Sequence, residues 1–440
     1  MTTFRRSAGA SGPALLLAIL LGLAPGAARA QSQAAGPAPP GQAPPPKITL
    51  DEAIHFALVH NPSLQADRTT IAQSQDEEIT ANLRPNPVVT TDALFVPIFS
   101  PGQLTSSNID TVTEFDLGAS YLFERGKKRQ HRLAAAQAAT AVTTSQVSDA
   151  ERTLTYNVAQ QFVGVLLAEE ALRFARQDLA SFRNTVGISE SRYKAGDISD
   201  SDFLKIKLQL LQFQTDVSTA ELARIEALQG LRQLVGFESV PADYDVSGSL
   251  TYASLSLHRA RLDQLALGLR PDLRAARQGV TAAQAQYGLA KANGKQDLTM
   301  TFDYTHVSGL NNGSFLWNIP LPIFNRNQGE IARSQAAITQ AQDSAIAAEE
   351  QVLTDVGNAL DTVRTNGQVV TLYQSGYLND ARESRDISAY AYAHGGASLL
   401  DLLDAERSYR ATELGYLQSL GAYQLALEQL REAVGTRRLP

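Results

Sequence analysis

The chain has 440 residues, 44% of them hydrophobic, with a net charge of −7, six histidines and no cysteine. The acidic balance argues against a nucleic-acid partner, and the missing thiol rules out disulfides and a cysteine nucleophile. The histidines are scattered, with no metal-ligand spacing and no Gly-rich phosphate loop nearby, so the chain offers no catalytic residue, no metal site and no cofactor, and is not expected to be an enzyme.

In chain order, residues 1–30 have the layout of an export signal: Arg5 and Arg6, an apolar run from Ala14 to Leu23, then the small-residue site Ala28-Arg29-Ala30. The run is too short to span a bilayer. Removing the arginines at 5, 6 and 29 takes the net charge from −7 to −10. No cysteine follows to carry a lipid anchor. Residues 31–47, rich in Pro, Ala, Gln and Gly, are expected to form a flexible leader.

Beyond the leader the chain is an internal duplication. The segment ALVHNPSLQADR from Ala57 matches ALGLRPDLRAAR from Ala266, LFERGKKR from Leu122 matches IFNRNQGE from Ile323, and a Tyr-x-x-Gly segment at Tyr193 matches one at Tyr392. The order and near-constant spacing imply two units of about two hundred residues, 48–240 and 241–440, far longer than solenoid periods. Each unit should open with a short helix. A hairpin comes next, at about 86–124 in the first: a Val/Thr strand near Val88, a loop with Ser106, Ser107 and Asn108, then Phe115, Leu117, Ala119, Tyr121 and Phe123 alternating with small or polar residues. The second hairpin, at about 297–324, has Leu298, Met300, Phe302 and Tyr304 on one face. It places its turn at the Asn-Gly of SGLNNGS, and puts Phe315, Trp317, Ile319 and Leu321 on one face of the returning strand.

Two proline-free stretches of strong helix formers complete the units. They predict long helices over about 127–192 and 329–392, each ended by a Gly turn (near 193–199 and 392–398) and followed by returning helices over about 200–235 and 399–434. A helix of roughly 65 residues is ~95 Å long, about three bilayer thicknesses, and its charges exclude lipid, so it must project into water and pack as a coiled coil. The best apolar stretch within these helices, Phe162 to Ala168, is too short to span. Only β-strands would then cross a membrane. Four strands cannot close a barrel and leave free edges unless chains combine; three copies would supply twelve. The competing reading is a periplasmic coiled-coil scaffold whose hairpins form a small soluble sheet.

ITLDEAIHFALVHNP near the mature start, FERGKKR and IPLPIFNRNQGEI beside the strands, and YAHGGASLLDLLDAER at the second turn make the chain similar to the TolC-type outer-membrane efflux proteins, over nearly all of 48–435. FERGKKR and IPLPIFNRNQG most resemble the CzcC-like branch that serves heavy-metal resistance-nodulation-division pumps. The resemblance implies a mixed α and β outer-membrane protein: a homotrimer with a shared 12-stranded barrel in outer-membrane lipid and a helical tunnel across the periplasm. The tunnel tip would dock on a periplasmic membrane-fusion adaptor and an inner-membrane pump.

The same resemblance puts a closed aperture at the turns. Asp401 and Asp404 then match acidic rings, which in a trimer attract cations and raise their own pKa by like-charge repulsion. Asp202 and Tyr392 match a pair that ties neighbouring hairpins together. Ala195, Gly196, Asp197, Ile198, His394, Gly395, Gly396 and Ala397 would meet the adaptor. At Ala397 the sequence departs from the family pattern, which has an arginine there. The residues themselves leave a plainer alternative: Ser199-x-x-Asp202 and Ser398-x-x-Asp401 suit helix capping, the glycines suit helix termination, and His394 suits a solvated side chain.

Overall fold

The computed structural model describes residues 45–440; the expected export signal and residues 31–44 of the leader lie outside the described residues. Composition puts the end of the leader at residue 47, but Lys47–Ile48 already form a strand, β1, because their backbone finds a partner further along the chain.

Helix α1 (Leu50–His60) starts in a capping box in which the Glu52 carboxylate accepts from the Thr49 amide at 2.7 Å. Helix α2 (Pro62–Ala81) follows at once, since Pro62 presets a helical φ where no donor is needed. Strand β2 (Val88–Leu94), a loop with the short α3 (Ser106–Thr111), and β3 (Glu114–Phe123) come next. Then α4 (Lys128–Ala195) runs for 68 residues, about 100 Å, and α5 (Asp200–Val235) returns along it. Strand β4 (Asp245–Val246) pairs in parallel with β1. The remaining elements are α6 (Arg259–Leu269), α7 (Pro271–Asn293), β5 (Leu298–Val307), β6 (Leu310–Asn318), α8 (Gln328–Leu372), α9 (Leu378–Ala393) and α10 (Leu399–Val434).

One detail recurs in both halves. The residue before each helix-starting proline reaches the open end of its returning helix: Asn61 Nδ2 donates to the Leu234 carbonyl at 2.9 Å, and Arg270 Nη1 donates to the Ala433 carbonyl at 3.3 Å. Each bond satisfies a last-turn carbonyl that a helix leaves without an internal donor.

The four longer strands form one antiparallel sheet in the order β2-β3-β5-β6. Phe115, Leu117, Phe302, Tyr304, Phe315 and Trp317 lie on one face, exposed, with Trp317 66% and Phe315 72% accessible. The other face carries Asp92 opposite Asp116, and Asp303 opposite Gly118, where a Cβ would collide with the Asp303 carboxylate. The expected Asn-Gly turn is not there. The chain reverses at Ser308-Gly309, both at positive φ as a two-residue hairpin turn requires, while Asn312 and Gly313 pair with Thr305 and Tyr304 inside β6. Ile319 and Leu321 lie beyond the strand, which ends at Asn318.

Three buried clusters hold the helices. One joins α1, α4 and α5 around Val158, Leu231 and Val235; a second joins α6, α8 and α10 around Leu262, Leu360 and Leu430. The third, around Phe182, Phe213, Tyr392 and Leu402, joins both hairpins near their turns. Along α10 the covered positions keep a strict three-four alternation, from Leu399 through Leu402, Glu406, Tyr409, Glu413 and Tyr416 to Leu420, Tyr423, Leu427, Leu430 and Val434. This is a coiled-coil seam in which every second position, Leu399, Leu420, Leu427 and Val434, is Leu or Val except at Glu406 and Glu413.

The second long helix, expected to be continuous to residue 392, is broken. Tyr373–Tyr377 form one π turn, with Gly376 at φ 140°, a backbone conformation open to glycine and rarely to other residues. The break separates α8 from α9.

Candidate functional site

Both helical turns close in the same way. At the first, the Gly196 amide (φ 81°) donates to the Tyr193 carbonyl and the Asp197 amide to that of Arg192; at the second, the Gly395 amide (φ 78°) donates to Tyr392 and the Gly396 amide to Ala391. These are Schellman endings, which place glycine at the left-handed position. Ser199 and Ser398 then start the returning helices by accepting from the amides of Asp202 (3.1 Å) and Asp401 (3.2 Å). Tyr193 stacks on Phe203 at 4.6 Å across the first turn.

The acidic residues divide by role. Asp401 completes a capping box, its carboxylate accepting from the Ser398 amide at 3.1 Å and hydroxyl at 2.7 Å; these bonds hold its pKa below the ordinary value. Asp202 bonds Lys205 at 3.1 Å, and that lysine with Ser199 lowers its pKa as well. Within one protomer the local effect is therefore opposite to the rise expected of a ring of like charges. Asp404 is exposed and bonds Arg407 at 2.6 Å, free of any capping duty.

Asp202 and Tyr392, expected as a pair, have different partners. Tyr392 is 3% accessible, its hydroxyl 3.1 Å from that of Ser189. Within one protomer the two hairpins are joined by Arg192, whose Nη1 donates to the Tyr392 carbonyl at 2.5 Å while its guanidinium lies 4.9 Å from the Tyr392 ring. So a guanidinium does join the turns, though position 397 holds alanine, which packs into the apolar cluster beneath. Ala195, Gly196, Asp197, His394, Gly395 and Gly396 are exposed and Ile198 half-buried. His394 Nδ1 faces the Tyr390 carbonyl at 2.9 Å, and no group of metal-binding side chains occurs among the described residues.

Sequence reasoning missed a buried ionic cluster further up the hairpins. Asp178 of α4 and Glu406 of α10 are each 4% accessible. Arg410 Nε lies 2.8 Å from Asp178, and Arg410 also pairs with Asp216 of α5 while stacking over Phe213 at 4.3 Å. Arg385 of α9 lies over Tyr409 at 4.3 Å and 2.7 Å from Asp386. Glu406 forms no ion pair among the described residues, and its Oε2 has no hydrogen-bond partner. Burial raises Asp178 to about 6, and burial together with the Asp178 charge raises Glu406 to about 7. The signal was available: glutamates seven residues apart in an otherwise apolar seam.

With this geometry, comparison with known proteins is decisive. The family model described as outer membrane efflux protein matches residues 53–237 and 262–436, and the chain belongs to that family. It is 26% identical to the cobalt-zinc-cadmium resistance protein CzcC of Cupriavidus metallidurans, over 86% of this chain and 88% of that one. It is 25% identical to the cation efflux system protein CusC of Escherichia coli, over 74% of each. The crystal structure of a membrane protein from Pseudomonas aeruginosa superposes with a TM-score of 0.75 at 21% identity, covering 88% of this chain and 92% of the other. The protein is an outer-membrane efflux channel component with helices in the periplasm, and members of its family are transport channels rather than enzymes.

Proposed function

We propose that three copies form one conduit, a shared 12-stranded barrel continued by a periplasmic helical tunnel, through which an inner-membrane pump and its periplasmic adaptor discharge metal cations or other small molecules. The observation that carries this reading is the four-stranded sheet. Its apolar, aromatic face is exposed, its opposite face holds Asp92, Asp116 and Asp303, and both edge strands, β2 and β6, lack an outer partner among the described residues. Pairing β2 of one copy with β6 of the next closes the sheet, turns the aromatics to lipid and lines the lumen with carboxylates.

The helices support the same assembly. On α5, Leu204, Leu208, Leu211, Leu222 and Ile225 are exposed on a 3.5-residue spacing, and Leu372, Tyr377, Ile387 and Tyr390 are exposed on the second long helical arm. Such a stripe asks for a helical partner, and the matching surface lies on another copy. Gating belongs to the turns: Asp404 as the acidic ring least tied up in capping, Asp401 beside it, and Tyr392 and Arg192 as the intraprotomer tie. The exposed residues 195–197 and 394–396, with half-buried Ile198 and Ala397, form the docking surface for the adaptor. A soluble scaffold would leave the aromatic face and both sheet edges in water.

The test is to fractionate membranes, extract with detergent and measure the oligomer's mass. A detergent-dependent trimer from the outer membrane is expected; a soluble monomer or dimer would overturn the reading.

A further inference from the structure

The buried cluster of Asp178 and Glu406 lies away from the turns, where α9 and α10 pack against α4 and α5. The groups that face it come from all four helices: Asp178 from α4, Asp216 from α5, Arg385 and Asp386 from α9, and Glu406 and Arg410 from α10. The Asp386 side chain is 61% exposed and stays in water; the enclosed groups are three carboxylates and two guanidiniums, so the fully ionised cluster carries one uncompensated negative charge in an apolar seam, and protonating Glu406 brings it to zero. An uncompensated buried charge works against the packing that buries it. One seam step away, Glu413 shows the compensated arrangement, bonded to Arg382 of α9 at 2.8 Å.

The segment this cluster holds also has a place to bend. Helix α9 begins just after the π turn at Gly376, and Arg385 lies nine residues beyond that glycine, about 14 Å along the helix. At the π turn itself, Gln374 bonds the Tyr416 hydroxyl at 3.0 Å, fixing the near side of the bend to α10. A fixed near side, a glycine outside helical backbone geometry and a far side held by a charge-imbalanced cluster are the parts of a latch.

We infer that Glu406 and Asp178 form a proton-controlled latch on α9, closed when the two carboxyls are neutral and loosened when they ionise, with the movement taken up at Gly376. Both carboxyls sit above their ordinary pKa in the packed state, so the packed state binds protons more tightly than the loosened one. Packing is then strongest below the ordinary carboxylate range and weakens as pH rises through about 6 to 7. This rests on the channel reading only for its consequence: a loosened α9 widens the aperture at the turns. The latch itself is a property of one protomer.

Two readouts separate the two ideas. Amide hydrogen exchange over 378–393 in the full-length detergent-solubilised protein, corrected for intrinsic rate, is expected to lose about tenfold in protection between pH 5 and pH 8. Conductance in planar bilayers should rise over the same interval. In Glu406→Gln, and in Glu406→Leu, which places the seam's usual residue there, most of the change in protection and conductance between pH 5 and pH 8 should disappear, and Asp178→Asn combined with Glu406→Gln should remove the rest. Wild-type protection unchanged by pH, or a Glu406→Leu protein that follows the wild-type curve, overturns the latch. A pH-dependent loss of protection in a protein that forms no pore at any pH upholds the latch and removes the channel.

Discussion

The hydroxyls of Tyr392 and Ser189 lie 3.1 Å apart, both buried, at a separation of 203 positions along the chain. They join the end of the second hairpin to the first. Ser189 also donates to its own helix at Thr185 (2.8 Å), so Tyr392→Phe strands no donor. It should cost only about 1 kcal/mol, whereas Tyr392→Ala, which also empties the ring's site, should cost about 3–5 kcal/mol. Denaturation of the two variants measures the difference, and bilayer recording should find more open time in both.

At Gly196 there is open space around the Cα, yet φ is +81°. Gly196→Val therefore tests backbone conformation without a clash, at a cost of about 1–2 kcal/mol. Gly395→Val tests the same at φ +78°. Both should impair export while the detergent-extracted oligomer keeps its mass; undiminished export in either would remove the turns from the docking surface.

Asp401 and Asp404 should separate capping from cation binding. Asp404→Ala should weaken block by multivalent cations and leave stability unchanged. Asp401→Ala should do both kinds of damage, because its carboxylate caps α10. Because the fold lowers the Asp401 pKa, its stabilisation is present above the ordinary value of 3.8 and is lost as pH falls through the lowered folded value. Ser398→Ala, which removes the hydroxyl from the same box, should cost about 1 kcal/mol without altering block. If Asp404→Ala leaves block unchanged, that residue does not face the pore.

Glu169 provides a second pH test away from the turns. It shares Arg224 (3.3 Å) with Asp245, which is 2.7 Å from the same guanidinium, and burial with the Asp245 charge raises it to about 7. Its contribution is greatest below its ordinary 4.5, declines as pH climbs to about 7, and is flat above. Glu169→Gln cannot ionise and should be more stable than wild type at pH 8, by about 1–3 kcal/mol, with the difference vanishing near pH 4.5. Thermal unfolding at the two pH values checks it.

Leu208, 68% accessible, belongs to the exposed stripe on α5. Leu208→Glu should leave the protomer folded and break the oligomer, which mass measurement in detergent reports. A trimer that persists would move the helical interface off this stripe.

The long helices were legible because the signals that make them are local: helix formers without proline, glycine at each end and a serine cap on each return. Four strands were legible from their two-residue period, but the hairpin turn was not. Asn312-Gly313 is the stronger local signal, and Ser308-Gly309 prevails because it puts Val307 opposite Leu310 and Phe302 opposite Phe315 in one register. The π break was hidden because a lone glycine in a helical stretch is ordinarily tolerated. The tie through Arg192 and the partners of Glu406 were hidden for another reason: the seven-residue spacing of Glu406 and Glu413 marks a polar interruption of the seam, but which groups meet there depends on which helices lie side by side, and a periodic pattern gives the face of a helix without naming its neighbour.

The unlike edges of the sheet make the protein vulnerable on its way to the membrane. In the proposed barrel β2 of each copy pairs with β6 of a different copy, so the ring would be built head to tail, and every newly exported chain would cross an aqueous compartment with two sticky edges and a strip of bare aromatics. Biogenesis is therefore a race between correct closure and aggregation, and a chaperone that covers β6 would tip it. Genetics should carry the same imprint: a copy with one blocked edge still enters a growing ring but cannot let it close, so such an allele would poison its normal neighbours and behave as dominant.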